Sequence, residues 1–187
     1  MIRFFNGRTL TMADGVSVTT DEVWTDGDKI AYIGPTPETL PAFERQIDLG
    51  GDLVMPGFKN AHAHAGMSFV RSYADDVPLQ PWLFEQIFPF EAKMTPEDCY
   101  WATKLACAEM LRFGTVSFSD MYYHMDQVAR AALDAGLKLN LSDSLLAFNG
   151  EGLAGLPVDG ENRRLLRDLQ GAGDGRIVVD CNIHAEY

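Results

Sequence analysis

The stretch VMPGFKNAHAHAGM, Val54 to Met67, decides how this chain is read. It sets His62 and His64, two of the four histidines, one residue apart. The apolar run from Leu53 to Phe58 predicts a buried strand leading into the pair. Side chains two apart on a strand share a face, so both imidazoles would project together while Ala61 and Ala63 point away. At the C-terminal end of a parallel strand, such a face opens onto the usual active-site rim of an α/β barrel. Imidazole nitrogens suit a borderline divalent ion such as zinc. Two ligands do not complete a catalytic site, which takes about three protein ligands and a water. On spacing alone, two exposed or hydrogen-bonded loop histidines account for the motif equally well.

Upstream, residues 1–54 read as a small β module. In DEVWTDGDKIAYIGP, Asp26-Gly27 is a hairpin turn signal between β-formers. Pro35, Pro37 and Pro41 then interrupt any regular element. Nothing in this module carries a catalytic constellation.

Downstream, SYADDVPLQPWLFEQIFPFEAKM mixes aromatics, prolines and acids. It reads as a long functional loop with a short helix around Pro81 to Phe88. The clearest helix follows. Thr95 can cap it, Pro96 suits its first turn, and Glu97 and Asp98 complement the positive end of its dipole. Trp101, Leu105, Ala108 and Leu111 recur at helical spacing and predict a buried stripe, with Gly114 as the stop. TVSFSDM then reads as a strand, Met125 to Ala135 as a helix closed by Gly136, LKLNL as a strand, GENRRLLRDLQ as a helix and RIVVDCNIHAEY as a strand. This alternation predicts parallel βαβ units with about four strands. Ending in or just after a strand, the chain reads as the first part of a longer domain.

Composition removes several function classes. The net charge is −12 and no Lys/Arg cluster exists, which argues against nucleic acid. No apolar run approaches the ~20 residues of a membrane span, and MIRFFNGRTL does not read as a signal peptide. Cys99, Cys107 and Cys181 form neither a disulfide framework nor a C-x-x-C pair, so a reducing cytoplasm is the expected location.

The histidine motif, followed by RSYADDVPLQPWL and FPFEAKMTPEDCYWATKLACAEMLRFGTVSFSDMYYH, resembles the metal-dependent amidohydrolase superfamily. The resemblance is densest to the branch of S-adenosylhomocysteine/5′-methylthioadenosine deaminases and atrazine-type chlorohydrolases. It implies an α/β fold: the first half of a (β/α)₈ TIM-type barrel over residues 55–187, preceded by strands of a small β-sandwich over residues 1–54. It implies that His62 and His64 hold one divalent ion, zinc first and iron second. The family's other ligands, two histidines and an aspartate, and its proton-shuttling residues would lie beyond Tyr187. In such enzymes the metal lowers the pKa of a bound water, hydroxide attacks an electron-poor ring carbon, and ammonia or halide departs.

The same resemblance assigns substrate contacts. Trp82 matches the aromatic that packs on the purine, although ordinary core packing explains it as well. Glu91 matches the carboxylate that binds ribose hydroxyls; a solvated acid at a helix flank is the other reading. His184 matches a histidine that contacts substrate, against a capping or core role. His124 and Asp120 read as structural, Asp120 as a tie for neighbouring loop N–H groups. Two departures qualify the substrate. Asp143 stands nearest the place where nucleoside deaminases tend to carry arginine, and HAEY places Glu186 where that branch commonly has proline. A cationic or neutral heterocycle without a carboxylate therefore fits. The expected function is a metal-dependent deaminase of a purine nucleoside or related aminated heterocycle. The alternatives are a chlorohydrolase or other cyclic-amidine hydrolase, and a non-catalytic half-barrel. Expected partners are a small heterocyclic substrate and, at full length, further copies of the chain, with neither nucleic acid nor membrane.

Overall fold

At the Pro56–Gly57 step the chain passes from one unit, Met1–Pro56, to a second, Gly57–Tyr187. The computed structural model describes residues 1–13, 15, 17–145 and 157–183.

The first unit is built of short strands: β1 (Ile2–Phe5), β2 (Arg8–Leu10), β3 (Val18–Thr19), β4 (Glu22–Asp26), β5 (Lys29–Gly34), β6 (Arg45–Asp48) and β7 (Leu53–Val54). They form one sheet of order β5-β4-β1-β6 and another of order β3-β2-β7. The β4–β5 hairpin turns at Gly27, whose φ of 57° suits a residue without a Cβ. Arg3 and Glu22 form a buried ion pair between β1 and β4. Arg3 Nε donates to Glu22 Oε2 at 2.7 Å, and its Nη2 pairs with Oε1. Trp24 Nε1 (2.8 Å) and Thr36 Oγ1 (2.6 Å) also donate to this carboxylate. Arg3 Nη1 is occupied by Gln46 Oε1 at 2.9 Å.

The second unit begins with β8 (Phe58–Ala63) and a 3₁₀ turn over Ala65–Val70. A composite helix follows: α1 (Leu79–Pro81), a π-helical segment over Trp82–Ile87, and α2 (Phe88–Glu91). Then come α3 (Pro96–Arg112), β9 (Thr115–Tyr122), α4 (Met125–Ala135), β10 (Lys138–Leu145), α5 (Pro157–Leu169), α6 (Ala172–Gly175), β11 (Ile177–Val179) and β12 (Asn182–Ile183). The sheet order is β11-β10-β9-β8, with β12 also on β10, and every pairing is parallel. From β8 to β11 each strand therefore lies beside its predecessor, joined by a helical crossover, as parallel pairing requires.

Thr95 caps α3 through a full capping box with Asp98, and Gly136 closes α4 in the left-handed region. The period of two puts Phe118, Leu139, Leu141, Ile177 and Val179 into the core, where they meet Ala106 and Cys107 of α3, Val128 and Ala132 of α4, and Leu165 of α5.

Three expectations are corrected. The stripe Trp101, Leu105, Ala108 and Leu111 faces outward, with Trp101 55% exposed. Alpha-3 instead buries Cys99, Ala102, Thr103, Ala106 and Cys107, small side chains at the same helical spacing that let the helix approach its neighbours closely. The stretch Leu53 to Phe58 is not one buried strand. Leu53–Val54 pairs with β2, while Phe58 opens β8 and is exposed. The last strand is interrupted at Asp180–Cys181, leaving two short strands on β10. The three cysteines are free thiols, and no helix among the described residues is long and apolar enough to cross a membrane.

The Arg3–Glu22 pair makes the first unit acid-sensitive. Hydrogen bonding to Arg3, more than offsetting burial, holds the Glu22 carboxyl at about 2, against 4.5 for an unperturbed glutamate. Its contribution is complete above pH 4.5 and disappears as the pH falls toward 2. Urea midpoints measured from pH 7 down to 2.5 should drop below pH 4.5. Glu22→Gln should flatten that segment and cost about 3 kcal/mol at pH 7, because it leaves Arg3 buried without its counter-charge.

Candidate active site

The candidate site starts where β8 ends. His62 lies on the strand and His64 one residue past it, at the entry to the 3₁₀ turn, with φ −131° and ψ 72°. Their rings meet nearly edge to face, 4.7 Å between centroids at 85°, and the two Nε2 atoms stand 3.1 Å apart. His64 Nδ1 lies 2.8 Å from the main-chain oxygen of Met121 on β9. A carbonyl only accepts, so this contact places the proton on Nδ1 and the lone pair on Nε2. A metal-binding histidine is commonly oriented in this way. Two nitrogens bound tetrahedrally at 2.0–2.1 Å would be separated by about 3.3 Å, close to what is found. The donor chemistry and spacing fit one borderline divalent ion. Among the described residues, no group of three or more His, Cys, Asp or Glu forms a complete ligand set.

Asp120 supports this geometry from below. Its carboxylate accepts the Ala65 N–H at 3.1 Å (Oδ2) and 3.3 Å (Oδ1). It is 4% exposed, and burial pushes its carboxyl up to about 7 against the opposing help of the Ala65 and Met121 amides. The expected tie to neighbouring loop N–H groups is present at Ala65. The main-chain hook from Met121 was not expected, since a backbone carbonyl leaves no mark in the sequence.

Glu91 ends α2 and is buried, which excludes the solvated helix-flank reading. Burial raises its carboxyl pKa, and the hydroxyl of Tyr122, donating to Oε1 at 2.8 Å, opposes that rise. Tyr122 also escaped the sequence reading. A signal was available: residues 118, 120 and 122 share a strand face, so a phenol there had to find a buried partner. Trp82 opens the π-helical segment and is half-buried. His124 takes a left-handed conformation (φ 52°) at the start of α4, and its carbonyl accepts from Gln127 N–H at 2.8 Å. The main-chain N–H of Asp143 donates to Asn162 Oδ1 at 2.8 Å. His184 and Glu186 lie outside the described residues.

The other face of the sheet carries a cleft of about 260 Å³. His62, Ala61 and Ala63 line it from β8, with Ser119 and Met121 from β9 and Asn140 and Ser142 from β10. Ser119 and Ser142 are small and polar on this face, and His62 stands beside that wall.

Comparison with known proteins places the chain in a family. The model of the amidohydrolase family matches residues 53–187. Over 170 residues the chain is 46% identical to 5-methylthioadenosine/S-adenosylhomocysteine deaminase of Desulfitobacterium hafniense (strain DSM 10664 / DCB-2), spanning 89% of this chain and 38% of that protein. The adenosine deaminase of Xanthomonas campestris, solved with bound zinc, superposes with a TM-score of 0.82 at 27% identity, over 95% of this chain and 41% of that one. The atrazine chlorohydrolase of Arthrobacter aurescens TC1, solved with zinc, superposes with a TM-score of 0.80 over 96% of this chain and 46% of its own; at 19% identity it speaks for the fold alone. The chain thus spans less than half the length of each of these proteins. Matched across the whole of its parallel sheet, the chain belongs to the amidohydrolase family.

Proposed function

We propose that this chain is the N-terminal portion of a metal-dependent deaminase acting on a purine nucleoside or a related aminated heterocycle. The observation that carries the reading is the convergence of His62 Nε2 and His64 Nε2 to 3.1 Å, with His64 oriented by Met121. Support for the substrate class comes from the 46% identity to a 5-methylthioadenosine/S-adenosylhomocysteine deaminase.

In this reading the parallel strands β8 to β12 are the first part of a (β/α)₈ barrel, and residues 1–54 contribute strands to a small β-sandwich. His62 and His64 hold the ion, zinc first and iron second. The rest of its ligands would come from the part of the relatives' length that this chain does not span. A divalent ion held there would supply Lewis acidity, bringing the pKa of a coordinated water toward neutrality. The chain's own residues do the positioning. Met121 fixes the His64 tautomer, and Asp120 fixes the turn that follows it. Trp82 would pack on the heterocycle, Glu91 would accept hydrogen bonds from sugar hydroxyls, and His184 would contact the substrate. Overall, water adds at the ring carbon bearing the amino group and ammonia leaves. Asp143, an acid near the end of β10, favours a substrate without a carboxylate. The full-length protein would assemble as a homo-oligomer in the cytoplasm.

Purified full-length protein should contain about one divalent ion per chain, measured by elemental analysis. His62→Ala and His64→Ala should each lose most of it. Unchanged content in both variants would overturn the metal assignment. Offered adenosine derivatives, guanine, cytosine and chloro-triazines, the loaded enzyme should release ammonia from an adenosine derivative. Chloride release from the triazines alone would replace the deaminase reading with a chlorohydrolase. Asp120→Ala should weaken metal affinity about 10-fold in a competitive chelator titration, because the Ala65 N–H loses its acceptor. Asp120→Asn, which keeps an acceptor oxygen, should lose markedly less.

A further inference from the structure

Three consecutive residues at the end of β9 each hold a different piece of the site. Asp120 accepts from the Ala65 N–H, the Met121 carbonyl accepts from His64 Nδ1, and Tyr122 Oη donates to Glu91 Oε1. The first two serve the histidines. The third crosses 31 residues of sequence to the end of α2 and serves a different limb.

The Tyr122 side chain is tightly confined. A Cβ at Gly66 would come within 2.3 Å of its ring carbons Cδ1 and Cε1, so only glycine fits beside it. Met94 Sδ lies 3.5 Å from the hydroxyl, and the Tyr123 ring packs edge-on at 5.2 Å. A confined ring gives its hydroxyl a narrow direction, and the carboxylate that meets it is confined in turn. A carboxylate carries two acceptor oxygens. Oε1 is engaged by the phenol, and among the described residues no donor meets Oε2, which is the atom left to receive a ligand's donors.

We propose that Tyr122 is a positioning residue for sugar recognition: its hydroxyl locks Glu91 in the orientation that lets Oε2 accept the vicinal hydroxyls of a ribonucleoside. The inference rests on the reading of Glu91 as the sugar-binding carboxylate. It adds the residue that makes that carboxylate selective. Phenylalanine at position 122 keeps the ring against Gly66 and removes only the donor. Glu91 then regains rotamer freedom, and the loss appears in substrate affinity rather than in the chemical step.

The test compares adenosine with 2′,3′-dideoxyadenosine on the full-length, metal-loaded enzyme, with Tyr122→Phe and Glu91→Gln made separately. Tyr122→Phe should raise KM for adenosine about tenfold and change kcat less than twofold. KM for the dideoxynucleoside should move less than twofold. Glu91→Gln should abolish the preference for the ribonucleoside. If Glu91→Gln abolishes that preference while Tyr122→Phe leaves it at the wild-type level, the positioning role is overturned and the Glu91 reading survives. Equal losses with both nucleosides in Tyr122→Phe would reduce Tyr122 to a packing residue and also overturn the inference. A preference unchanged in Glu91→Gln would defeat the Glu91 reading itself.

Discussion

A carboxylate, a main-chain carbonyl and a phenol, delivered in succession by the end of β9, hold the candidate site together. Asp120 takes the amide that follows His64, Met121 takes the His64 ring, and Tyr122 takes Glu91. Strand alternation turns Asp120 and Tyr122 to the same side of the sheet as Phe118, into the packed core. Polar groups placed there must be paired, because an unmet buried donor or acceptor costs on the order of 1–3 kcal/mol. Burial thus enforces the geometry. The strand end cannot move without stranding a carboxylate or a phenol, and the histidine limb and the composite helix are both fixed to it.

Three buried carboxylates among the described residues show how environment sets character. Glu22 faces a guanidinium and is held at about 2. Asp120 and Glu91 receive only neutral N–H and O–H donors, burial dominates, and both are pushed upward. The first serves cohesion within its β unit. The other two stand at the candidate site, where perturbed acids with specific partners concentrate.

Helix α3 shows why hydrophobicity alone misassigns a buried face. It carries two apolar stripes at the same spacing, one of large residues and one of alanine, cysteine and threonine. The small stripe faces the core because close approach to α4, the 3₁₀ turn and β9 rewards low volume over apolar area. Leu53–Val54 and Phe58 differ for a related reason. Pro56 and Gly57 divide the run, so its first part joins β2 and its last part begins β8.

Much was legible in the sequence. Alternating strand and helix patterns, the Thr95 cap, the Gly136 stop and the Asp26-Gly27 turn are local signals, read within a few residues by backbone geometry and capping chemistry. Strand alternation gave His62 and His64 a shared face, while their spacing alone left a pair of loop histidines equally open. The tertiary structure alone decided that Met121 orients His64, that Tyr122 answers Glu91, and that α3 turns its small residues inward. Each of these depends on residues distant in sequence meeting in a packed interior. There, volume and unmet hydrogen bonds decide the outcome, and no local pattern encodes them.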